Sequence, residues 1–183
     1  MTDDRSTKIM TAIFRDRDAA ERAYGALTDR GYTSKDVNLL MSTETRERCF
    51  PRTERTTTEL GSKASEGAGI GAVAGGGLGA LLAGMAASGI AVPLLPIIAL
   101  GPLAAALAGA GTGGAVGAVI GALVGAGIPE ERAKLYDQGI KEGGIVLGVT
   151  PVRDEDTDYL EGEWTKAGGD QIYRPGAEPI RRD

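Results

Sequence analysis

Between Glu66 and Glu130 the chain carries no ionisable side chain. A folded domain in water rarely keeps 63 consecutive residues free of charge, because part of any such stretch must meet solvent. The segment therefore predicts surroundings of lipid or of other protein. The charges lie on either side of it. Residues 1–66 hold 12 Lys and Arg against 12 Asp and Glu, and residues 129–183 hold 8 basic against 13 acidic side chains, which accounts for the net charge of −5.

Within the uncharged block, Gly67, Gly71, Gly75 and Gly79 recur every four residues, and Gly109, Gly113, Gly117, Gly121 and Gly125 repeat the device. At about 100° per residue, a step of four advances only ~40° past a full turn, so each series forms one slowly drifting helical stripe. A stripe without side chains lets two helix backbones approach closely, the logic of small-xxx-small helix pairs. Two matched series either side of a proline-containing turn predict a glycine-zipper helical hairpin over 67–128. The competing reading is a disordered glycine-rich linker. Linkers of that kind are polar, however, and the partners here are Ala, Leu, Ile and Val.

Hydrophobicity leaves the surroundings of the hairpin open. The arm Gly67–Ala91 is long enough to span a bilayer at about 1.5 Å per residue. It nevertheless holds 9 Gly and 8 Ala, and so few large apolar side chains make a lone arm marginal for insertion. It needs its sister arm or other subunits. The most apolar stretch is the turn itself, Val92, Pro93, Leu94, Leu95, Pro96, Ile97 and Ile98, running on to Leu100. A tip of this composition is expected to stay buried, within a bilayer or at the centre of an assembly.

The charged flanks read as alternating strands and helices. Lys8–Phe14 predicts a strand. Asp18 is the expected cap of a helix, with Glu21 closing a capping box and Ala19, Ala23 and Leu27 on one face. Gly31 is a left-handed stop, and Val37–Ser42 predicts a second strand. Residues 43–65 fit a short helix or a linker equally. Beyond the block, Pro129-Glu130-Glu131 opens a helix with Ala133, Tyr136 and Ile140 on one face, ended by Gly143-Gly144. Ile145–Val152 predicts a third strand, Pro151 marking its end. Asp154 is the expected cap of a helix whose apolar face is Leu160, Trp164 and Ala167. A short strand at Gln171–Tyr173 and a loose tail over 174–183 follow. Joined, the flanks give β-α-β, an interruption, then β-α-β: a split ferredoxin-like α+β sandwich formed by 1–66 and 129–183.

Motifs for chemistry are weak. Gly109-Ala-Gly111-Thr-Gly113-Gly114 fits the dinucleotide pattern by letter, but the preceding alanine-rich PLAAALAGA is helical in character rather than a strand. No lysine follows these glycines, which excludes a phosphate-binding P-loop. The chain has no histidine and one cysteine, Cys49, so the usual zinc sites and Ser-His or Cys-His nucleophiles cannot be assembled. Asp154, Glu155, Asp156 and Asp158 read as favourable acids at a helix start rather than a cation site. Tyr136, Tyr159, Trp164 and Tyr173 are expected in the small core. Net acidity and the absence of a basic tract argue against a nucleic-acid partner. The acidic N-terminus MTDDRSTKIM lacks the features of a cleaved signal, and the lone cysteine fits a reducing compartment. No catalytic, cofactor-binding or metal-binding residue is assigned.

The stretches FRDRDAAERAYGALTDRGY, VNLLMSTETRERCF, the glycine-zipper block, GIPEERAKLYDQGIKEGGIVLGVTP and EWTKAGGDQIY are similar to bacterial general-stress and low-temperature-induced proteins. The resemblance runs from about Lys8 to Tyr173 and carries no catalytic signature. It implies a stress-associated, frequently membrane-bound bacterial protein, and it favours the split ferredoxin-like arrangement. The sequence thus leads to three expectations. The first is a non-enzymatic protein that self-assembles or associates with the inner membrane through its hairpin, its α/β domain on the cytoplasmic face. The second is a soluble cytoplasmic homo-oligomer with its hairpins bundled. The third is a regulatory module for a small ligand.

Overall fold

A recurring stop signal sets the lengths of the helices. In the computed structural model, which describes residues 9–33, 35–50, 97–100 and 114–174, four helices end in the same six-residue loop. Helix α1 (Arg17–Asp29) closes with Tyr32 N–H donating to the Leu27 carbonyl at 3.1 Å, over Gly31 at φ +84°. Helix α3 (Gly114–Gly125) closes with Ile128 N–H on Leu123 O at 3.0 Å, over Gly127. Helices α4 (Glu130–Lys141) and α5 (Asp154–Lys166) close with Gly144 on Gly139 O and Gly169 on Trp164 O, both 2.8 Å. This is the Schellman pattern, which satisfies carbonyls that a helix end leaves free and places a left-handed residue where glycine is cheapest. The paired glycines have separate reasons. Gly143 is at φ +92°, whereas a Cβ on Gly144 would come to 2.8 Å from both the Gly139 carbonyl oxygen and Ile13 Cδ1.

The other elements are the strands β1 (Met10–Phe14), β2 (Val37–Ser42), β3 (Ile97–Leu100), β4 (Ile145–Val149) and β5 (Asp170–Tyr173), and the short helix α2 (Thr43–Cys49). They form one five-stranded sheet of order β3-β2-β4-β1-β5, every neighbouring pair antiparallel. Strands β1 and β2 consequently run the same way, with β4 inserted between them (Phe14 opposite Ile145, Met41 opposite Ile145). The α1 connection therefore passes over β4, and the α5 connection passes over β1. The chain is of the α+β class.

Alternation along the strands divides the interior in two. Met10, Ala12 and Phe14, with Val37, Leu39, Met41, Ile145, Leu147 and Val149, face one layer made by α1 and α5. Phe14 meets Trp164 edge to face, centroids 5.9 Å apart, and the Trp164 indole N–H donates to the Ala23 carbonyl. Ile9, Ile13, Leu40 and Val146 face a second layer, built from Val119, Ala122 and Leu123 of α3, Ile128, and Ala133, Tyr136 and Ile140 of α4. Strands β1, β2 and β4 are therefore covered on both faces, which explains why they read as near-continuous apolar runs.

Several boundaries differ from the sequence expectation. Asp16, not Asp18, caps α1, its carboxylate accepting from Ala19 N–H at 2.7 Å, so the helix starts one residue after the cap at Arg17. Arg153 stands at the cap position of α5, and Asp154 lies inside its first turn. Strand β4 ends at Val149, ahead of Pro151. The open choice over 43–65 resolves as a helix for Thr43–Cys49, capped by the Ser42 hydroxyl on Thr45 N–H.

The larger revision concerns the insertion. The two described stretches of the uncharged block, 97–100 and 114–128, belong to the α/β body. Ile97 and Ile98, expected in a hairpin turn, lie in β3, with Ile98 opposite Met41 and Ile97 opposite Ser42. Val119–Ile128 helps to build the second core. The physical reason is that the sheet has two apolar faces: α1 and α5 of the flanks cover one, while on the other α4 leaves room that Val119, Ala122 and Leu123 of α3 fill. Gly67, Gly71, Gly75, Gly79, Gly109 and Gly113, the tip residues Val92–Pro96 and most of the tail expected over 174–183 lie outside the described residues.

Candidate functional site

Helix α3 presents two unlike faces. At 100° per residue, Val119, Ala122 and Leu123 cluster on one side and are buried against the sheet and α4. Gly117, Gly121, Val124 and Gly125 fall on the opposite side. All four are exposed, Val124 by 42 %. A methyl group added to Gly117, Gly121 or Gly125 would meet no atom within 4 Å among the described residues. Nothing in the described body asks for glycine there, yet each glycine costs a helix interior about 1 kcal/mol relative to alanine. No residue of the helix is ionisable. The face is thus apolar, uncharged, exposed and open to close backbone approach.

The three expected packing glycines that are described therefore share one stripe, as their spacing implied. What the spacing alone did not reveal is the division of labour in α3: its other face is committed to the body, which fixes the orientation of the glycine stripe. The signal was available in Val119, Ala122 and Leu123, which fall opposite the glycines.

Polar side chains elsewhere hold the scaffold together. Asp156 has its side chain only 1 % exposed. Its carboxylate accepts from the Tyr32 hydroxyl at 2.8 Å and Arg153 Nε at 3.1 Å, with Arg30 at 3.5 Å. Burial pushes its pKa up, but Tyr32, Arg153 and Arg30 outweigh burial and leave it below the ordinary aspartate value. Tyr32 also accepts from Val152 N–H, and Arg30 stacks on Tyr159 at 4.0 Å, so this cluster joins the end of α1 to the start of α5. Of the acidic run at α5, Asp156 turns inward and Asp158 pairs with Arg174 at 2.8 Å. Among the described residues no group of three or more His, Cys, Asp or Glu is placed to hold a metal ion.

Three arginines sit on helix ends. Arg17 donates to the Cys49 carbonyl at the end of α2, Arg22 to the Ala167 carbonyl after α5, and Arg48 to the Gly143 carbonyl after α4. A cation at the carbonyl end of a helix complements the dipole and fills acceptors the helix leaves unused. Arg17 lies over the Phe50 ring as well, at 5.0 Å. Sequence reasoning did not find these pairs, because each joins residues at least 32 positions apart.

Tyr136 and Trp164 are fully buried, as expected; Tyr159 packs at the margin of the first core, and Tyr173 is partly exposed on β5. Among the described residues no helix is long and apolar enough to cross a membrane. No family model matches the chain, and neither a curated protein nor a solved structure matches it.

Proposed function

We propose that this is a non-enzymatic, stress-associated protein that self-assembles through the outward glycine face of α3, with the uncharged segments around it serving as the assembly or membrane-contact region. The observation that carries the reading is the stripe of Gly117, Gly121 and Gly125, exposed and unobstructed on a helix without a charged residue. Helices that meet through glycine gain contact along their backbones, in lipid or in a protein bundle. The stress association rests on the resemblance to bacterial general-stress proteins.

The α/β body, in this reading, is a ferredoxin-like domain split by the uncharged block. The order β2-β4-β1-β5 and the placement of α1 and α5 on one face support that assignment. Two settings remain for the assembly: the cytoplasmic face of the inner membrane, or a soluble particle. The attachment of α3 to the body through Val119, Ala122 and Leu123 favours the particle, since this helix is already held by protein.

Replacing Gly117 and Gly121 by leucine, in the full chain, tests the role of the face. The expected result is a smaller particle by light scattering, with the far-UV circular dichroism of the body retained. An unchanged particle mass rejects the reading. Extraction separates the settings: release by carbonate indicates the soluble assembly, and release by detergent alone indicates insertion.

A further inference from the structure

Strand β5 is held to the body differently from the strands beside it. Strands β1 and β4 are buried along their whole length, whereas Asp170 and Gln171 are exposed and Ile172 and Tyr173 half-buried. Its apolar anchor is Ile172, packed at the margin of the first core. Pairing with β1 is interrupted: Thr11 lies opposite Tyr173 and Ile13 opposite Asp170, and the register breaks between them. In that break Gln171 sits at φ +53°, a conformation that costs free energy in any residue with a side chain. Charged groups supply the attachment that apolar contact lacks. Arg15, just after β1, donates to Asp170 at 3.1 Å and to Glu142 at 3.0 Å. Arg174, just after β5, donates to Asp158 at 2.8 Å and Glu161 at 2.7 Å, both on α5. Lone exposed ion pairs contribute little to stability, and networks such as these contribute more. Arg15 is 60 % exposed and Asp158 75 %, so dissolved salt reaches both networks.

We propose that Asp170–Arg174 is an ionic strap: it opens as a unit while the rest of the body stays folded, it uncovers the outer edge of β1, and it opens more readily as ionic strength rises. The moving part begins at Asp170, because the residue before it is fixed. Gly169 N–H bonds the Trp164 carbonyl at 2.8 Å, and Trp164 is fully buried, so α5 stays in place when β5 leaves. Local opening of the least buried element is the low-cost motion of a fold. The arginine clasps at the two ends of the strap add a dependence on salt. When the strap is open, the N–H and C=O groups that β1 shares with β5 meet water. The inference is independent of the glycine face of α3, because it uses only β5 and the groups that bind it.

Native-state hydrogen exchange of the full chain tests it, at about 0.1 M and about 1 M NaCl, between which the screening length falls from about 10 Å to about 3 Å. The slowest-exchanging amide of β5 reports the strap, and that of β4 reports opening of the whole body. In the lower salt β5 is expected to exchange faster than β4. In the higher salt its opening relative to β4 is expected to rise about 3- to 5-fold, the scale of screening two exposed charge networks. The double variant Arg15→Gln, Arg174→Gln is expected to open β5 at low salt as far as wild type opens at high salt, and to lose the salt response. Lys134→Gln breaks the exposed pair with Glu130, which bonds no residue of β5, and is expected to keep that response. Should the double variant loosen β4 as well, Arg174→Gln alone carries the test, with a reduced salt response expected. Three results overturn the proposal: exchange of β5 at the β4 rate, an equal salt response in β4 and β5, or an undiminished response in the arginine variants.

Discussion

The Tyr136 hydroxyl donates to the Gln171 carbonyl at 2.7 Å, and through that bond α4 holds the only non-glycine residue with positive φ among the described residues. The Thr11 hydroxyl lies 2.9 Å from the Tyr136 hydroxyl oxygen, and Arg132 reaches the Gln171 side chain at 2.7 Å. With its one proton given to Gln171, Tyr136 accepts from Thr11. Burial drives the pKa of the phenol well above its usual value, opposed by the Thr11 bond, so the hydroxyl stays protonated and remains a donor. A left-handed non-glycine residue costs about 1–3 kcal/mol and persists only where its surroundings impose it.

Tyr136→Phe is expected to destabilise the body by about 1–2 kcal/mol, because it leaves the buried Thr11 hydroxyl and a strand carbonyl without their partner. The loss should be local first. Hydrogen exchange at Ile172 and Tyr173 is expected to accelerate more than exchange in β4. Uniform acceleration across the sheet would show that Tyr136 acts through general packing instead.

The Asp156 cluster predicts an acid-sensitive component of stability. Its folded pKa is depressed, so its contribution is fully present above the unfolded aspartate value of about 3.9 and is lost as pH falls through the folded value. Asp156→Asn is expected to cost about 2 kcal/mol at neutral pH, the scale of hydrogen bonds to a buried charge. It should also flatten the decline in urea midpoint below about pH 4. An identical acid slope in wild type and variant would place that sensitivity elsewhere.

Much of the body was legible in the sequence because each signal was local. Ala19, Ala23 and Leu27 lie on one face of α1, and Leu160 and Trp164 lie on one face of α5 with Ala167 just past its end; all six are buried as their spacing implied. Gly31 and Gly143 stop their helices in the left-handed region. What was not legible was the second layer. Glycine spacing in α3 describes the outward face, and it drew attention away from Val119 and Leu123, whose burial depends on a sheet assembled from residues more than 100 positions apart. Ile97 and Ile98 misled for a related reason: two nearby prolines mark a turn, while pairing with Ser42 and Met41 is a non-local event with no signature in the strand itself. The candidate site was therefore half visible, its stripe read from spacing and its mounting supplied by tertiary structure.

That mounting predicts that truncations in α3 destabilise the α/β body. Leu123 is fully buried in the second core, so Leu123→Ala is expected to cost about 2–5 kcal/mol and to lower the unfolding midpoint of the whole body. Val124→Ala, one residue along on the open face, is expected to fall within ~0.5 kcal/mol of wild type. Equal, small effects for both would mean that α3 is a separate unit.

Glycine-to-alanine changes at two kinds of position should move stability in opposite directions. Gly144→Ala introduces a methyl group 2.8 Å from the Gly139 carbonyl oxygen and from Ile13 Cδ1. Backbone cannot yield as a side-chain tip can, and a loss of about 1–3 kcal/mol is expected. Gly117→Ala and Gly121→Ala add a methyl group into open space on a helix, which should raise helix stability by up to ~1 kcal/mol each in the dissociated protein. In the assembled particle the sign is expected to reverse, because a methyl group on the stripe holds two backbones apart. Chemical denaturation measured above and below the concentration at which the particle dissociates reads both signs. Stabilisation by Gly117→Ala that persists unchanged in the particle would show that the glycine face touches no partner.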